Sequence, residues 1–357
     1  MKVNPTTYAG LTPAEIAAWS RLQQADPACD SPYFRPEFVR AVAAVRDDVE
    51  VAVLEDGGKP VGFFPFQRKS RKVAEPVGFP TADFQGAVVA ARLDWAPCEV
   101  LRGCGLAAWS FDHVPAAQRA FLPYAWRTAI SPYLDLSRGF DAYRADRKSD
   151  GTRKIAKTLA QGRKLAAEVG PLRLVPHTGD AAIFRTVMDW KRAQYRATRV
   201  PDTLAAPWKQ ALLQQVVATQ GEGLAGMLSA LFAGDRLVAV HLGMRSGGVL
   251  HGWFPAYNPE FAKYSPGAIL WIELAKAAAE LGIRRIDLGR GSEGYKLQFM
   301  SGAIPLVEGR VDNAMLMRGL YRGWHGLRNC VRATPLRKPA QAVMRALTGR
   351  LAGANRP

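Results

Sequence analysis

The chain has 357 residues, enough for two domains of ordinary size, and its 48 Lys and Arg against 31 Asp and Glu give a formal charge of +17. Hydrophobic residues make up 48% and charged residues 22%, a globular balance, and no run approaches the roughly 20 apolar residues of a membrane span. The cation excess calls for an anionic partner, with nucleic acid, a phosphorylated cofactor and an anionic membrane surface all open.

Four scattered cysteines (Cys29, Cys98, Cys104, Cys330) form no CxxC pair, and the five histidines show no ligand spacing. Neither a disulfide framework nor a metal site is expected. The opening MKVNPTTYAG lacks the apolar core of a secretory signal, so the expected location is cytoplasmic.

In chain order, residues 51–66 (VAVLEDGGKPVGFFPF) read as a β-hairpin with a Gly-rich turn. TADFQG, residues 81–86, groups Asp83 and Gln85 in a loop, where they are candidates to recognise a polar substrate. From Tyr143 to Gly170 the chain reads YRADRKSDGTRKIAKTLAQGRKLAAEVG. It is predicted as one solvated basic helix joining two halves and stopped by Gly170-Pro171. DWKRAQY sets Lys191, Gln194 and Tyr195 on one side of a helix. Residues 229–242 (SALFAGDRLVAVHL) echo the first hairpin, and the echo suggests two similar α/β halves.

Within LVAVHLGMR, alternation puts Val238, Val240, Leu242 and Met244 on a core face and His241, between Ala239 and Gly243, on the other. A three-residue turn at 246–248 would pair Gly243 with His251 and His241 with Trp253, gathering both histidines and the tryptophan on one face; a two-residue turn would not. His241 is then the floor of a cleft or, equally, a hydrogen-bonded structural histidine.

YNPEFAKYSPGAILW, residues 257–271, leaves a strand and enters an apolar helix predicted from about Ala268 to Leu281, with no acid until Glu273. Ser265, Pro266, Gly267 and Ala268 form a bare helix start that suits a phosphate. The plain alternative is that Ser265 caps the helix, with Pro266 in its first turn. Next, RRIDLGRGSEGYKLQFM turns Ile286 and Leu288 inward and Asp287 and Gly289 to the other side, and its glycines deliver Tyr295-Lys296. That pair could protonate a leaving group or neutralise a phosphate, or be a solvated lysine beside a half-buried tyrosine. In the tail, Met317, Leu320, Tyr321, Trp324, Leu327 and Val331 form an apolar helical stripe opposite Arg318, Arg322, His325, Arg328 and Arg332. Such a helix suits docking on the fold or an anionic membrane surface.

Together WKRAQY, PDTLAAPW, HGWFPAYNPEFAKYSPG and IDLGRGSEGYKLQF resemble the BioF-type acetyltransferase domain of the CelD/BcsL, cellulose-biosynthesis-associated branch of the GNAT superfamily, related to FemAB. The likeness spans roughly residues 30–310. It implies two GNAT-like α/β lobes with mixed, mainly antiparallel sheets covered by helices: 1–142, a basic linking helix 143–170, 171–310, and a basic helical tail 311–357.

It further implies transfer of an acyl group from acyl-CoA, acetyl-CoA in the simplest case, to an amine or hydroxyl acceptor such as a small molecule or glycan precursor, with no DNA partner. A role in exopolysaccharide, cellulose or envelope synthesis would fit, peripheral to the inner membrane. By this likeness the CoA diphosphate falls on Tyr264 to Ala268, with Ser265, Pro266, Gly267 and Ala268 as the cofactor seat. His241 is expected as base or acceptor-orienting residue, and Tyr264 or Tyr295 as acid for the thiolate. Lys296 would offset negative charge, and Asp287 would orient one of these. Asp83, Gln85, Lys191, Gln194 and Trp253 are expected to face the substrate. Ser-Pro-Gly stands where the common GNAT loop carries Gln/Arg-x-x-Gly-x-Gly/Ala. FemAB-like relatives share this loop and take aminoacyl-tRNA, so a charged tRNA donor contacted by 143–170 is one alternative. A non-catalytic scaffold for a membrane glycan synthase is another.

Overall fold

The computed structural model describes residues 1–199, 201–291 and 294–313. In chain order the strands are β1 (Lys2–Thr7), β2 (Val49–Asp56), β3 (Lys59–Ser70), β4 (Val73–Glu75), β5 (Val88–Val89), β6 (Ala108–Pro115), β7 (Ala125–Asp135), β8 (Leu172–Val175), β9 (Ala225–Ala233), β10 (Arg236–Ser246), β11 (Val249–Tyr257), β12 (Arg285–Asp287) and β13 (Gly302–Asp312). The helices are α1 (Pro13–Ala25), α2 (Pro36–Ala43), α3 (Pro97–Gly103), α4 (Gly139–Ser149), α5 (Lys154–Glu168), α6 (Ala181–Thr198), α7 (Pro207–Ala218), α8 (Pro266–Glu280) and α9 (Gly294–Phe299).

Among the described residues these strands form one mixed, mainly antiparallel sheet in the order β1-β2-β3-β4-β6-β13-β7-β12-β11-β10-β9-β8, with β5 on β3. Both predicted hairpins are present, β2–β3 turning at Gly57-Gly58 and β9–β10 at Gly234-Asp235. Gly57 and Gly58 take φ of +56° and +77°, the left-handed geometry that a two-residue hairpin turn demands.

Two expectations are corrected and one open choice of turn length is decided. The basic segment 143–170 is two helices, because Gly151 at φ +77° takes the chain out of helical geometry between α4 and α5. The span 171–310 is not one contiguous lobe: β13 lies between β6 and β7 and hydrogen-bonds to both, so the last described strand joins the first half's part of the sheet. The β10–β11 turn has two residues, Gly247-Gly248, with Ser246 opposite Val249. The amphipathic stripe from Met317 to Val331 lies outside the described residues.

The core crosses the boundary between halves. Trp19, Phe38 and Phe63 from the first half share one apolar cluster with Val187, Leu213, Leu242 and Phe254 from the second. Burying each such side chain stabilises the fold by about 1.5–3 kcal/mol. On the opposite face α8 is buried nearly all round through Ile269, Leu270, Trp271, Ile272, Leu274 and Ala278, with α4 and α5 packed on it. That burial pins the start of α8 in place, where the sheet comes apart.

Candidate active site

Strands β11 and β12 run parallel and pair only from Val249–Arg285 to His251–Asp287. Beyond that point β12 ends while β11 continues to Tyr257 against β10, so the sheet opens as a wedge. Here β11 also bulges: Met244 faces His251 but Leu242 faces Phe254, leaving Gly252 and Trp253 opposite Gly243. A Cβ on Gly252 would stand 2.3 Å from Trp271 of α8, so residue 252 faces α8 and its neighbours point to the opposite face. His251 and Trp253 therefore lie on the Tyr33 side, with ring centroids 4.9 and 5.6 Å from that ring. His241 lies on the other side, 5.5 Å from Trp271. The gathering of both histidines and Trp253 on one face, which a three-residue turn would have given, does not occur, because the turn has two residues and the bulge shifts the register further.

The chain crosses the mouth of the wedge in a short 3-10 turn, Pro259–Tyr264, and reverses at Ser265, whose φ of +58° and ψ of +55° are left-handed. The Ser265 side chain does not cap α8; its Oγ accepts a hydrogen bond of 3.1 Å from Gln161 Nε2 of α5. The Ser265 carbonyl accepts from the Ala268 and Ile269 amides. Pro266 has no N–H, and the Gly267 amide makes no backbone hydrogen bond among the described residues. With no acid in its first turn, α8 offers an uncompensated positive end.

That end opens into a cleft of about 350 Å³ lined by Ser265, Pro266, Gly267 and Ala268, by Trp271, Tyr295 and Phe299, and across from them by Lys191 and Gln194 of α6. Lys191 Nζ donates to Gln194 Oε1 at 3.1 Å and to the Pro255 carbonyl at 3.4 Å, and lies 5.4 Å over the Tyr195 ring. Burial, helped by the positive field of Lys296, lowers its pKa to about 8.

On the Tyr33 side a polar chain joins the two halves. His251 Nε2 donates to Asp83 Oδ2 at 2.9 Å, His113 Nε2 lies 3.4 Å from Asp83 Oδ1, and His113 Nδ1 is 2.7 Å from Asp112. Burial pushes the Asp83 carboxyl up, but the His251 hydrogen bond and the fields of His251, His113 and Lys296 outweigh it and leave the pKa below the usual carboxylate range. Gly289, at φ +76°, makes the approach possible, since a Cβ there would stand 2.6 Å from Asp83 Oδ2.

Of the residues singled out in the sequence, the cleft brings together Ser265, Pro266, Gly267, Ala268, Lys191, Gln194 and Tyr295. The others stand apart from its lining. His241 is fully buried, 3.4 Å from Ser229 Oγ through Nδ1; burial, with a smaller contribution from His251, lowers its pKa to about 3. A ring that resists protonation so strongly is a poor base. Tyr264 donates its hydroxyl to Glu168. Asp287 is fully buried and held by Arg285 Nε at 2.8 Å; burial pushes its carboxyl up despite that partner. Arg285 in turn grips Asp30 at 2.6 Å. Gln85 bonds Asp112 at 2.8 Å, Trp253 packs in the core with its Nε1 on the Thr81 carbonyl, and Lys296 Nζ reaches the Gly289 and Arg290 carbonyls. Sequence reasoning missed Gln161, His113, Arg285 and the cleft wall Trp271. Only Trp271 carried a signal, standing one helical turn after Gly267.

Residues 153–297 match the family model of the acetyltransferase (GNAT) domain. No curated protein matches the chain. Among solved structures, FemX is 12% identical with a TM-score of 0.57, over 90% of this chain and 99% of that one. The C-terminal domain of a candidate lysylphosphatidylglycerol synthetase from Agrobacterium fabrum is 13% identical with a TM-score of 0.53, over 89% and 96%. L-PGS from Bacillus licheniformis is 10% identical with a TM-score of 0.51, over 87% and 96%. At these identities the likeness is one of fold. The chain has a mixed α/β fold with one large sheet covered by helices, and its residues 153–297 are similar to a GNAT acetyltransferase domain.

Proposed function

We propose that the protein transfers an acyl group, acetyl in the simplest case, from acyl-CoA to an amine or hydroxyl acceptor held in the cleft. The observation that carries this reading is the acid-free start of α8, its Gly267 amide without a backbone bond among the described residues, opening into a cleft walled by a lysine of lowered pKa. The α8 N-terminus seats the donor's diphosphate. The donor supplies an activated thioester, so the protein needs no nucleophile of its own. As the acceptor bonds to the acyl carbon and the C–S bond breaks, the acceptor's proton passes to the neutral Lys191 amine and the thiolate takes a proton from Tyr295. Lys296 acts through its field, which helps keep Lys191 neutral. This arrangement replaces His241 with Lys191 as the base. A place in the CelD/BcsL branch, and with it in exopolysaccharide or envelope synthesis, rests on the motif likeness.

Gly267→Asp separates the donor seat from the fold. A Cβ at 267 would meet Tyr257 at 3.4 Å, ordinary contact, and an acid in the first turn of α8 should stabilise the helix by about 0.3–1 kcal/mol. Its charge would repel a diphosphate, so calorimetry should show acetyl-CoA binding about tenfold weaker or worse, a loss of some 1.4 kcal/mol. Unchanged affinity removes the donor from this loop. Binding of aminoacyl-tRNA in place of acetyl-CoA would make the chain an aminoacyltransferase, and binding of neither would make it a scaffold.

A further inference from the structure

Helices α5 and α8 lie side by side, yet the seam between them is open. It holds a groove of about 350 Å³ in which Thr158 and Gly162 of α5 face Ile269 and Ile272 of α8. Leu159, Arg163 and Lys276 carry the groove on into a second hollow of about 570 Å³ against α4. Thr158, Gly162 and Ala166 recur at four-residue spacing, so a stripe of small side chains forms the α5 wall. Packing does not require a glycine at position 162. A Cβ there would stand 3.5 Å from Leu172 and 3.8 Å from Ile269, ordinary contact, and glycine inside a helix is less favourable than alanine. The space it leaves belongs to the groove.

A buried hydroxyl in the same wall points to an occupant. Thr158 is 1% exposed, and its Oγ1 has no hydrogen-bond partner among the described residues. By contrast, the hydroxyls of Thr186 and Thr198 in α6 donate to the Ala182 and Gln194 carbonyls one turn back, at 2.9 and 2.8 Å. A buried hydroxyl without a partner is costly, and a ligand with a polar atom would supply the missing bond. The rim of the groove carries an unbalanced charge. Lys276 is paired with Glu273 at 2.8 Å, which leaves the exposed Arg163 with no ion-pair partner among the described residues. Asp141, Arg144 and Glu280 line only the second hollow. Positions 158 and 163 are about 7.5 Å apart along the helix axis, a separation that a ring with polar groups at opposite ends can span.

We propose that the groove between α5 and α8 binds a small apolar acid that carries a second hydrogen-bonding group. Its body lies on Gly162, Ile269 and Ile272, its anionic end on Arg163 and its other polar end on Thr158 Oγ1. An apolar lining with a few fixed polar groups, at this volume, is the usual form of a small-molecule site. The groove and the cleft line different faces of α8, so the site stands apart from the acyl-transfer reading. Gln161, beside Gly162, ties the same joint to Ser265 Oγ at 3.1 Å, so an occupant would steady the turn that borders the cleft.

The probe is 4-hydroxybenzoate, set against benzoate, which lacks the hydroxyl, and 4-hydroxybenzyl alcohol, which lacks the charge. Binding is measured on the full chain by calorimetry and thermal melting. The wild type should bind 4-hydroxybenzoate at millimolar concentration or below, about fivefold tighter than benzoate for one neutral hydrogen bond. It should prefer 4-hydroxybenzoate to the alcohol by about tenfold, the range of a charge-assisted contact. Thr158→Val keeps the side-chain shape, so it should abolish the preference over benzoate while raising the melting temperature of the unliganded protein. Arg163→Gln should abolish the preference over the alcohol and keep the preference over benzoate. Gly162→Ala, which ordinary contact admits, should weaken all three compounds while melting no lower than the wild type. A wild type that binds none of the three, or binds them alike, overturns the site and leaves the acyl-transfer reading standing. A Thr158→Val variant that keeps the preference over benzoate overturns it as well, and one that melts lower shows that the hydroxyl is already satisfied within the fold.

Discussion

Lys191 is held by an amide oxygen, a backbone carbonyl and an aromatic face, with no ion-pair partner among the described residues. Its neutral form is therefore accessible near pH 8, where burial and Lys296 have brought its pKa. Below that value the amine is protonated and cannot accept a proton, so acyl transfer should rise with pH and level off above about 8. Lys191→Arg keeps the charge at every pH, and Lys191→Met keeps much of the stem; both should lower the rate about 10²–10⁴-fold and abolish that limb of the profile. A Lys191→Met enzyme with the wild-type pH profile would place the base elsewhere. Helical spacing in WKRAQY made Lys191 and Gln194 legible, because they sit on one face of α6 whatever the helix packs against. His241, left open by the sequence as cleft floor or structural histidine, is fully buried, and the pattern could not decide between the two. Strand alternation gives the face of a side chain but not what covers it, and here Trp271 closes over the ring.

At the scale of elements, the bulge in β11 is held by glycines whose hydrogens face their neighbours. A Cβ on Gly243 would stand 2.3 Å from the His251 carbonyl oxygen and 2.6 Å from the His241 ring, and one on Gly252 would stand 2.3 Å from Trp271. The carbonyl belongs to the bulge and cannot swing away as a flexible side chain would. Gly243→Ala should therefore cost about 1–3 kcal/mol in denaturant unfolding and weaken donor binding as the wedge closes or twists. Equal stability with intact binding would show that the bulge can slide. Ser-Pro-Gly before an acid-free apolar helix marked the helix start that lines the cleft, because turn and helix-start chemistry are local. The register of β10 on β11 was not legible: either turn length suited Ser246-Gly247-Gly248, and the bulge answers to Trp271 across the sheet. Gly151 did mark the α4–α5 break, but the basic residues on both sides of it obscured it.

At the scale of the whole molecule, the halves are joined by β13 between β6 and β7, by the shared apolar cluster, and by Asp83 reaching from a first-half loop to His251. No local pattern in GAIPLVEGRVD reports that it pairs with strands nearly two hundred residues earlier, so the strapped architecture could only be seen in the fold. Asp83 gives that joint a pH dependence. Its folded pKa is depressed, so its contribution is complete above the unfolded value of about 3.9 and is lost as pH falls through the folded value. Asp287 has the opposite sign, because burial raises its pKa, and Asp112 shares the sign of Asp83. The contribution of Asp83 is therefore isolated by subtracting the unfolding free energy of Asp83→Asn from that of the wild type at each pH. The difference should be about 1–3 kcal/mol at pH 7, the cost of unmaking a buried hydrogen bond to a charged group. It should shrink below about pH 4 as protonation makes the two side chains alike. A difference that grew on acidification would mean that Asp83 is held protonated and that the charge on this joint resides elsewhere.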